Sequence, residues 1–378
     1  MGQSVSLIHC ADIHMGSPFK SLGLGNYSSD RRIDIKKTFG NIINLALERN
    51  VDYLLISGDL YEHDYAGRAL IGWINEKLSR LGDKICVLIP GNHDPYTEDS
   101  WYRNYSWAPN VRILSSKNPE FRDARTSCYF YGMGFDAYRQ EVLSITKEAE
   151  IFPEFINICL FHGTVDMPFS QQPYNPVDSD WLLKMGFDYY ALGHFHKYDD
   201  SLSDKGIINP GSPEPLGFDE QGEHGVFFVR LSKNEGQVVR EYERIVLQQR
   251  KYHDIDFDVS GISDSIQLKS ALLEALNKKA SKSDLVRINL TGRLKSGFYT
   301  DLKETGQSLA GEYYFVNIKD STKPDYNLTE LAMEKNITGV FIRMMQDRIE
   351  SSPESERQLL MKALYLGIEA LLTGSVEI

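Results

Sequence analysis

Five short clusters of metal-ligand side chains recur along the first half of the chain: Asp12-Ile13-His14, Gly58-Asp59, Gly91-Asn92-His93-Asp94, His162-Gly163 and Gly193-His194-Phe195-His196. A single His-x-His pair near a strand end is usually surface polarity, but five such clusters in succession are improbable by chance. The set offers imidazole, carboxylate and one carboxamide without thiolate, which suits manganese, iron or zinc in a catalytic site better than structural zinc. Asp12, His14, Asp59, Asn92, His162, His194 and His196 are too many ligands for one ion. They fit two divalent ions about 3.5–4 Å apart that share a bridging carboxylate.

Each cluster follows an apolar run of strand length, at residues 5–10, 53–57, 85–89, 155–161 and 189–192. Between the first two runs, Ile35, Phe39, Ile42, Ile43 and Ala46 recur at helical spacing, with Asp30 as the expected cap. Strands alternating with helical patterns predict a layered α/β fold, its β-sheets flanked by helices, over residues 1–245. In such folds the loops after the carboxyl ends of the strands converge on one crevice, where residues distant in sequence meet. Asp12 with His14, and His194 with His196, are two residues apart, so in extended chain each pair projects to one side. Gly58, Gly91, Gly163 and Gly193 mark places where the backbone turns sharply or approaches closely.

The pattern changes after residue 245. A strand-like segment at 251–259, a helix marked by Leu268, Leu272, Ala275 and Leu276, and strands near Val286–Thr291 and 313–318 predict a smaller α+β cap over 246–322. The cap carries Lys278, Lys279, Lys282, Arg287, Arg293 and Lys295, opposed in that stretch only by Asp284, and of these Lys278, Lys279, Arg287, Arg293 and Lys295 are the candidate DNA contacts. A polar linker at 319–325 leads to a helical region, 323–378, whose last helix begins after Ser352-Pro353 and is apolar nearly all round. It is expected to pack on Val340, Phe341, Met344 and Met345 and to leave a face for a partner.

A formal net charge of −12 argues against indiscriminate nucleic-acid binding, so a polyanion must be held by local cations or by metals. Cys10, Cys86, Cys128 and Cys159 are widely spaced, mostly inside apolar runs, and read as reduced core residues. No leader precedes the first strand and no long apolar stretch occurs, which points to a cytoplasmic protein away from the membrane. His9, His224 and His253 stand outside any motif and are read as structural.

The ordered pattern D-x-H, G-D, G-N-H-[DE], H and G-H-x-H resembles the calcineurin-like metallophosphoesterases over residues 5 to 215. "HCADIHMGSPF", "GDLY" and "GSPEPLGFDE" resemble the SbcD/YhaO-type branch of DNA repair exonucleases. The resemblance implies that Asp12, His14, Asp59 and His196 hold one ion and Asp59, Asn92, His162 and His194 the other, manganese being the first choice and iron or zinc the alternatives. It further implies that a hydroxide bridging the ions attacks phosphorus, that His93 assists the leaving oxygen, and that Asp94 orients and charges His93. Related nucleases carry a phosphate-positioning histidine three residues after the bridging aspartate; this chain has Glu62 there, with His63 one place further. The implied activity is that of a metal-dependent nuclease acting on DNA, bound through its C-terminal helices to an SMC-like ATPase, with a homodimer left open. A small-molecule phosphodiesterase or phosphatase and a non-catalytic scaffold are the alternatives.

Overall fold

The computed structural model describes residues 2–22, 26–139, 149–166, 174–295 and 302–374. The chain divides into two compact units, Met1–His253 with Ser283–Leu285, and Asp254–Lys282 with Val286–Ile378.

In the first unit, β1 (Gln3–Cys10), α1 (Tyr27–Glu48), β2 (Tyr53–Ser57), α2 (Arg68–Ser79) and β3 (Ile85–Ile89) alternate as expected. After a short helix α3 (Trp101–Asn104) come β4 (Val111–Ile113), β5 (Glu120–Asp123), β6 (Cys128–Met133) and β7 (Ile156–His162). Then follow α4 (Ser179–Lys184), β8 (Tyr189–Gly193), β9 (Ile207–Ile208), β10 (Gly225–Asn234) and β11 (Gln237–Val246). They form two sheets, ordered β11-β10-β1-β2-β3-β4 and β5-β6-β7-β8-β9. β1, β2, β3 and β4 run parallel, as do β6, β7, β8 and β9.

One core lies between the sheets. Leu7, Tyr53, Leu55, Val87 and Ile89 meet Phe130, Ile158, Leu160, Tyr189 and Ala191 there. Alternate residues turn to the outer faces, where Tyr131, Cys159, Phe161 and Tyr190 pack with Leu182 of α4. Both faces are covered, so β2, β3, β7 and β8 are buried along their whole length, which is why they read as continuous apolar runs. The four cysteines are free and buried, as their setting in those runs predicts.

Helix α1 begins at Tyr27, three residues before the expected cap. Asn26 occupies the cap position without a side-chain cap bond, and Asp30 sits in the first turn, where its charge suits the helix dipole.

In the second unit β12 (Tyr252–Asp258), whose first two residues lie in the first unit, pairs with β13 (Leu285–Thr291), which pairs in turn with β15 (Phe315–Asp320). The helices α5 (Ser265–Asn277) and α6 (Leu302–Ala310) follow β12 and β14 (Arg293–Lys295) in the chain. Leu268, Leu272, Val286, Ile288 and Leu309 form this core. The expected linker is structured instead: β16 (Lys323–Asp325) pairs in parallel with β14, and Pro324 sits in this two-stranded edge, where a missing N–H is tolerated.

Three helices close the unit, α7 (Leu328–Met333), α8 (Ile337–Ser351) and α9 (Glu354–Thr373). Ile342, Leu364 and Ile368 form their small core, with Phe341 and Met345 against it. Phe341 lies over Gly367, where a Cβ would come within 2.2 Å of the ring. Val340 and Met344, expected in that interface, are exposed instead, as are Leu359 and Leu372. Among the described residues no helix is long and apolar enough to cross a membrane.

Candidate metal centre

The loops leaving β1, β2, β3, β7 and β8 bring all seven expected ligands together at the carboxyl ends of the two sheets. Adjacent loops are tied by their backbones: the N–H of Asp12 donates to Gly58 O at 3.1 Å and that of His14 to Asp59 O at 2.9 Å. The His194 N–H donates to the Asp12 carboxylate at 3.0 Å, joining the outermost loop to the first.

The ligands fall into two clusters, Asp12 with His14 and His196, and Asp59 with His162 and His194. The expectation that His-x-His projects to one side fails here. Asp12, His14, Asp59 and His194 all have left-handed backbones, with φ of 52°, 51°, 52° and 105°, so the chain turns between neighbouring ligands and deals His194 and His196 to different clusters. Asp59 reaches both, its Oδ2 lying 3.6 Å from His14 Nε2 and 3.3 Å from His162 Nε2. Asn92 Oδ1 completes the second cluster, 3.2 Å from His162 Nε2 and 3.1 Å from His194 Nδ1.

Two glycines make this approach feasible. A Cβ on Gly91 would stand 2.1 Å from Asp59 Oδ1, and one on Gly58, which also has φ of 91°, would stand 2.2 Å from His162 Nδ1.

The tautomers test whether these residues suit a cation. His14 Nδ1 donates to Glu62 Oε1 at 2.8 Å and His196 Nδ1 to Glu220 Oε1 at 2.6 Å. With both Nδ1 atoms so engaged, the two Nε2 atoms turn inward and face each other at 3.1 Å, where each can offer a lone pair to an ion in place of a proton. His162 Nδ1 donates to Ser57 O at 2.7 Å, which leaves its Nε2 lone pair among Asp59 Oδ2 and Asn92 Oδ1. Two sets of converging acceptors, each oriented from behind by a carboxylate or carbonyl, form the donor pattern of a divalent-ion site. Burial opposes ionisation of Asp59, but His162, His14 and His93 around it hold its carboxyl well below the usual range.

His93 stands beside these clusters, its ring 4.7 Å from that of His14. Its backbone N–H donates to Asp59 Oδ1 at 2.8 Å. The carboxylate against its ring is Glu62, not the expected Asp94: Glu62 Oε2 accepts from His93 Nδ1 at 2.9 Å. Asp94 is fully buried and spent on the loops, accepting from the N–H groups of Gly91, Leu60 and Tyr61 and from the Tyr102 hydroxyl. Its part is to hold the β2 and β3 loops in register. Burial draws the His93 imidazole down, but Glu62, Asp59 and Asp94 outweigh that and raise it to about 9. Glu62 in turn is held at about 2, since its bonds to His14 and His93 overcome its burial.

His63 does not take the place of the absent histidine. Its Nε2 lies 3.2 Å from Asp99 Oδ2, and its link to the site is a backbone bond to His93 O. Sequence reasoning missed the functions of Glu62 and Glu220. The signal for Glu62 was its place in the loop that carries Asp59; Glu220 had none beyond the "GSPEPLGFDE" stretch. His9 bonds to Tyr189 and Leu192 O, His224 to Ser212 and Glu220 O, and His253 to Asp284.

The chain's residues 5–198 match the family model described as calcineurin-like phosphoesterase. The chain belongs to this family. Its members are metal-dependent phosphoesterases that bind two divalent ions, and the paired clusters accord with that. Among relatives, an uncharacterized metallophosphoesterase, YhaO, of Bacillus subtilis is 28% identical over 354 residues, covering 86% of this chain and 84% of that one. The DNA double-strand break repair protein Mre11 of Saccharolobus solfataricus is 23% identical over 380 residues, covering 95% and 94%. Its namesake in Methanopyrus kandleri is 26% identical over 268 residues, covering 64% and 57%.

The cap cations lie in the second unit, and carboxylates from neighbouring elements meet them, not Asp284 alone. Lys278 pairs with Glu274 at 2.8 Å, Lys282 with Glu312 at 3.2 Å, and Arg287 with Asp254. Arg293 lies 3.5 Å over the Tyr365 ring and donates to Pro324 O, so it fastens α9 to the edge strands. Lys279 is exposed, and the side chain of Lys295 lies outside the described residues.

Proposed function

We propose that this chain is a metal-dependent phosphodiesterase that cuts DNA in repair. Asp12, His14, Asp59 and His196 would hold one divalent ion and Asp59, Asn92, His162 and His194 the other. The observation that carries the reading is the reach of Asp59 Oδ2 into both clusters with His93 alongside. Two divalent ions held there, manganese first among the candidates, supply Lewis-acid activation of water and neutralise charge on a phosphoryl group. His93 has its Nδ1 proton on Glu62, which leaves Nε2 to face substrate and to protonate a departing alkoxide. A diester of ordinary alcohols needs that proton more than an aryl ester does. DNA as the substrate is supported by relatives named for double-strand break repair, one of which is covered almost end to end.

The exposed apolar stripe Ile337, Val340 and Met344 on α8, with Leu359 and Leu372 on α9, is proposed as the seat of an SMC-like ATPase, received as a helix against helices. One observation favours a second reading, a small-molecule phosphodiesterase: Lys278, Lys282 and Arg287 of the cap are each paired with a carboxylate. An end-labelled duplex assayed beside bis-p-nitrophenyl phosphate, with manganese and with chelator, separates the two. Metal-dependent cutting of the duplex supports the nuclease; cleavage of the small diester alone supports the rival. Full turnover by metal-free protein would remove both.

A further inference from the structure

A polyanion approaching a chain of net charge −12 needs cations close to the point of reaction. In the cap, Lys278, Lys282 and Arg287 each face a carboxylate, from Glu274, Glu312 and Asp254. A different set lies beside the metal centre. The chain leaving His14 runs alongside the loop that carries Glu62: Met15 bridges to Tyr61, and the Glu62 N–H donates to Met15 O at 2.9 Å. Next to these two loops opens a groove of about 530 Å³, lined by Gly16, Ser29, Arg32, Lys36 and Tyr65 among others.

Arg32 and Lys36 are four residues apart on α1 and so share one face. The Lys36 ammonium lies 5.4 Å from the Trp73 ring centroid, and that of Lys20 lies 5.6 Å from the centroid of Tyr65, whose side is 48% exposed. Among the described residues none of Lys20, Arg32 and Lys36 forms an ion pair. The rings beside Lys20 and Lys36 leave each ammonium's charge available to a ligand. Cations on one wall and an exposed tyrosine on the other are the chemistry of a single-strand track: arginine's fork and the ammonium group take phosphates, and a ring stacks on any base.

We propose that this groove carries the sugar-phosphate backbone of the DNA strand that enters the metal centre, with Arg32 and Lys36 on phosphates and Tyr65 against a base. The inference rests on the reading of the chain as a DNA nuclease. It moves the main nucleic-acid contact from the cap to the catalytic unit.

The test uses the full chain loaded with manganese. Arg32→Glu/Lys36→Glu is compared with the exposed cap pair Lys278→Glu/Lys279→Glu for affinity to an end-labelled duplex across a salt series, for its cleavage, and for hydrolysis of bis-p-nitrophenyl phosphate. Losing two phosphate contacts to a single strand should raise the KM for duplex at least tenfold and flatten the slope of log affinity against log salt by about 1.4. Hydrolysis of the small diester should fall far less, and the cap pair should keep the wild-type slope. Duplex cutting by the wild-type chain with affinity and slope unaltered in the groove variant would overturn the groove and leave the nuclease standing. A wild-type chain that cleaves the diester but not DNA would overturn the nuclease reading and the groove with it. Should charge reversal also depress diester turnover, Arg32→Gln/Lys36→Gln decides by the same two results.

Discussion

Glu62→Gln changes one charge and keeps the size of the side chain, and it acts at the point where the two histidines of different function meet. Each carboxylate oxygen takes one imidazole, Oε1 that of His14 at 2.8 Å and Oε2 that of His93 at 2.9 Å. An amide keeps a single acceptor oxygen and turns an N–H toward the other ring, so one imidazole must lose its bond or change tautomer. A carboxylate behind a metal-ligating or catalytic histidine is typically worth 10- to 100-fold in metal affinity or rate. The His93 side chain is 44% exposed, so water replaces part of what is lost and the effect should fall near the lower end, about 10- to 30-fold. The assay is hydrolysis of aryl phosphodiesters of graded leaving-group acidity at limiting and saturating manganese. A loss through His14 disappears at saturating metal; a loss through His93 persists and grows as the leaving group worsens. In a His93→Ala background Glu62→Gln should then add little, because the two act as a unit. A further tenfold loss there, at saturating manganese, would refute the link.

His93→Ala should slow hydrolysis by roughly 100-fold with both ions retained, whereas His196→Ala should lose metal on elemental analysis. Gly91→Ala places a methyl 2.1 Å from Asp59 Oδ1, and should lower metal content and Tm together; wild-type metal content would show that the loop simply yields. Met344→Glu, at a side chain 66% exposed, should change stability by no more than about 0.5 kcal/mol while abolishing co-purification with an SMC-like ATPase, and unchanged capture would end that assignment.

The strands that carry the site were legible because burial on both faces makes β2, β3, β7 and β8 apolar throughout, and a polar cluster at the end of such a run is conspicuous. The pairing of ligands was not. It depends on left-handed residues at Asp12, His14, Asp59 and His194, and although aspartate and histidine reach positive φ more readily than most residues, their presence does not say which of them do so here. Glu62 and Glu220 were missed for a related reason, since a carboxylate 48 or 24 residues from the ring it orients obeys no spacing rule. The partners of the cap's cations were not legible either, since Asp254 of β12 and Glu312 in the turn after α6 lie outside the basic window and meet Arg287 and Lys282 only in the fold.

The left-handed residues also say how the centre is kept in place. Each non-glycine residue in that region costs about 1–3 kcal/mol, and the cost is tolerated where surrounding structure over-determines the conformation. Here the determinants are on either side of each turn: a strand buried at its carboxyl end before it, and backbone bonds across to the next loop after it, as in Asp12 to Gly58 and His14 to Asp59. The Nε2 atoms of His14 and His196 face each other at 3.1 Å, a spacing that a proton or a cation can bridge. An ion bound by the folded centre and not by the unfolded chain should stabilise the fold by an amount that rises with the logarithm of its affinity. The β1 and β8 loops, which carry these two rings, should be the segments whose amide exchange slows most when manganese is added.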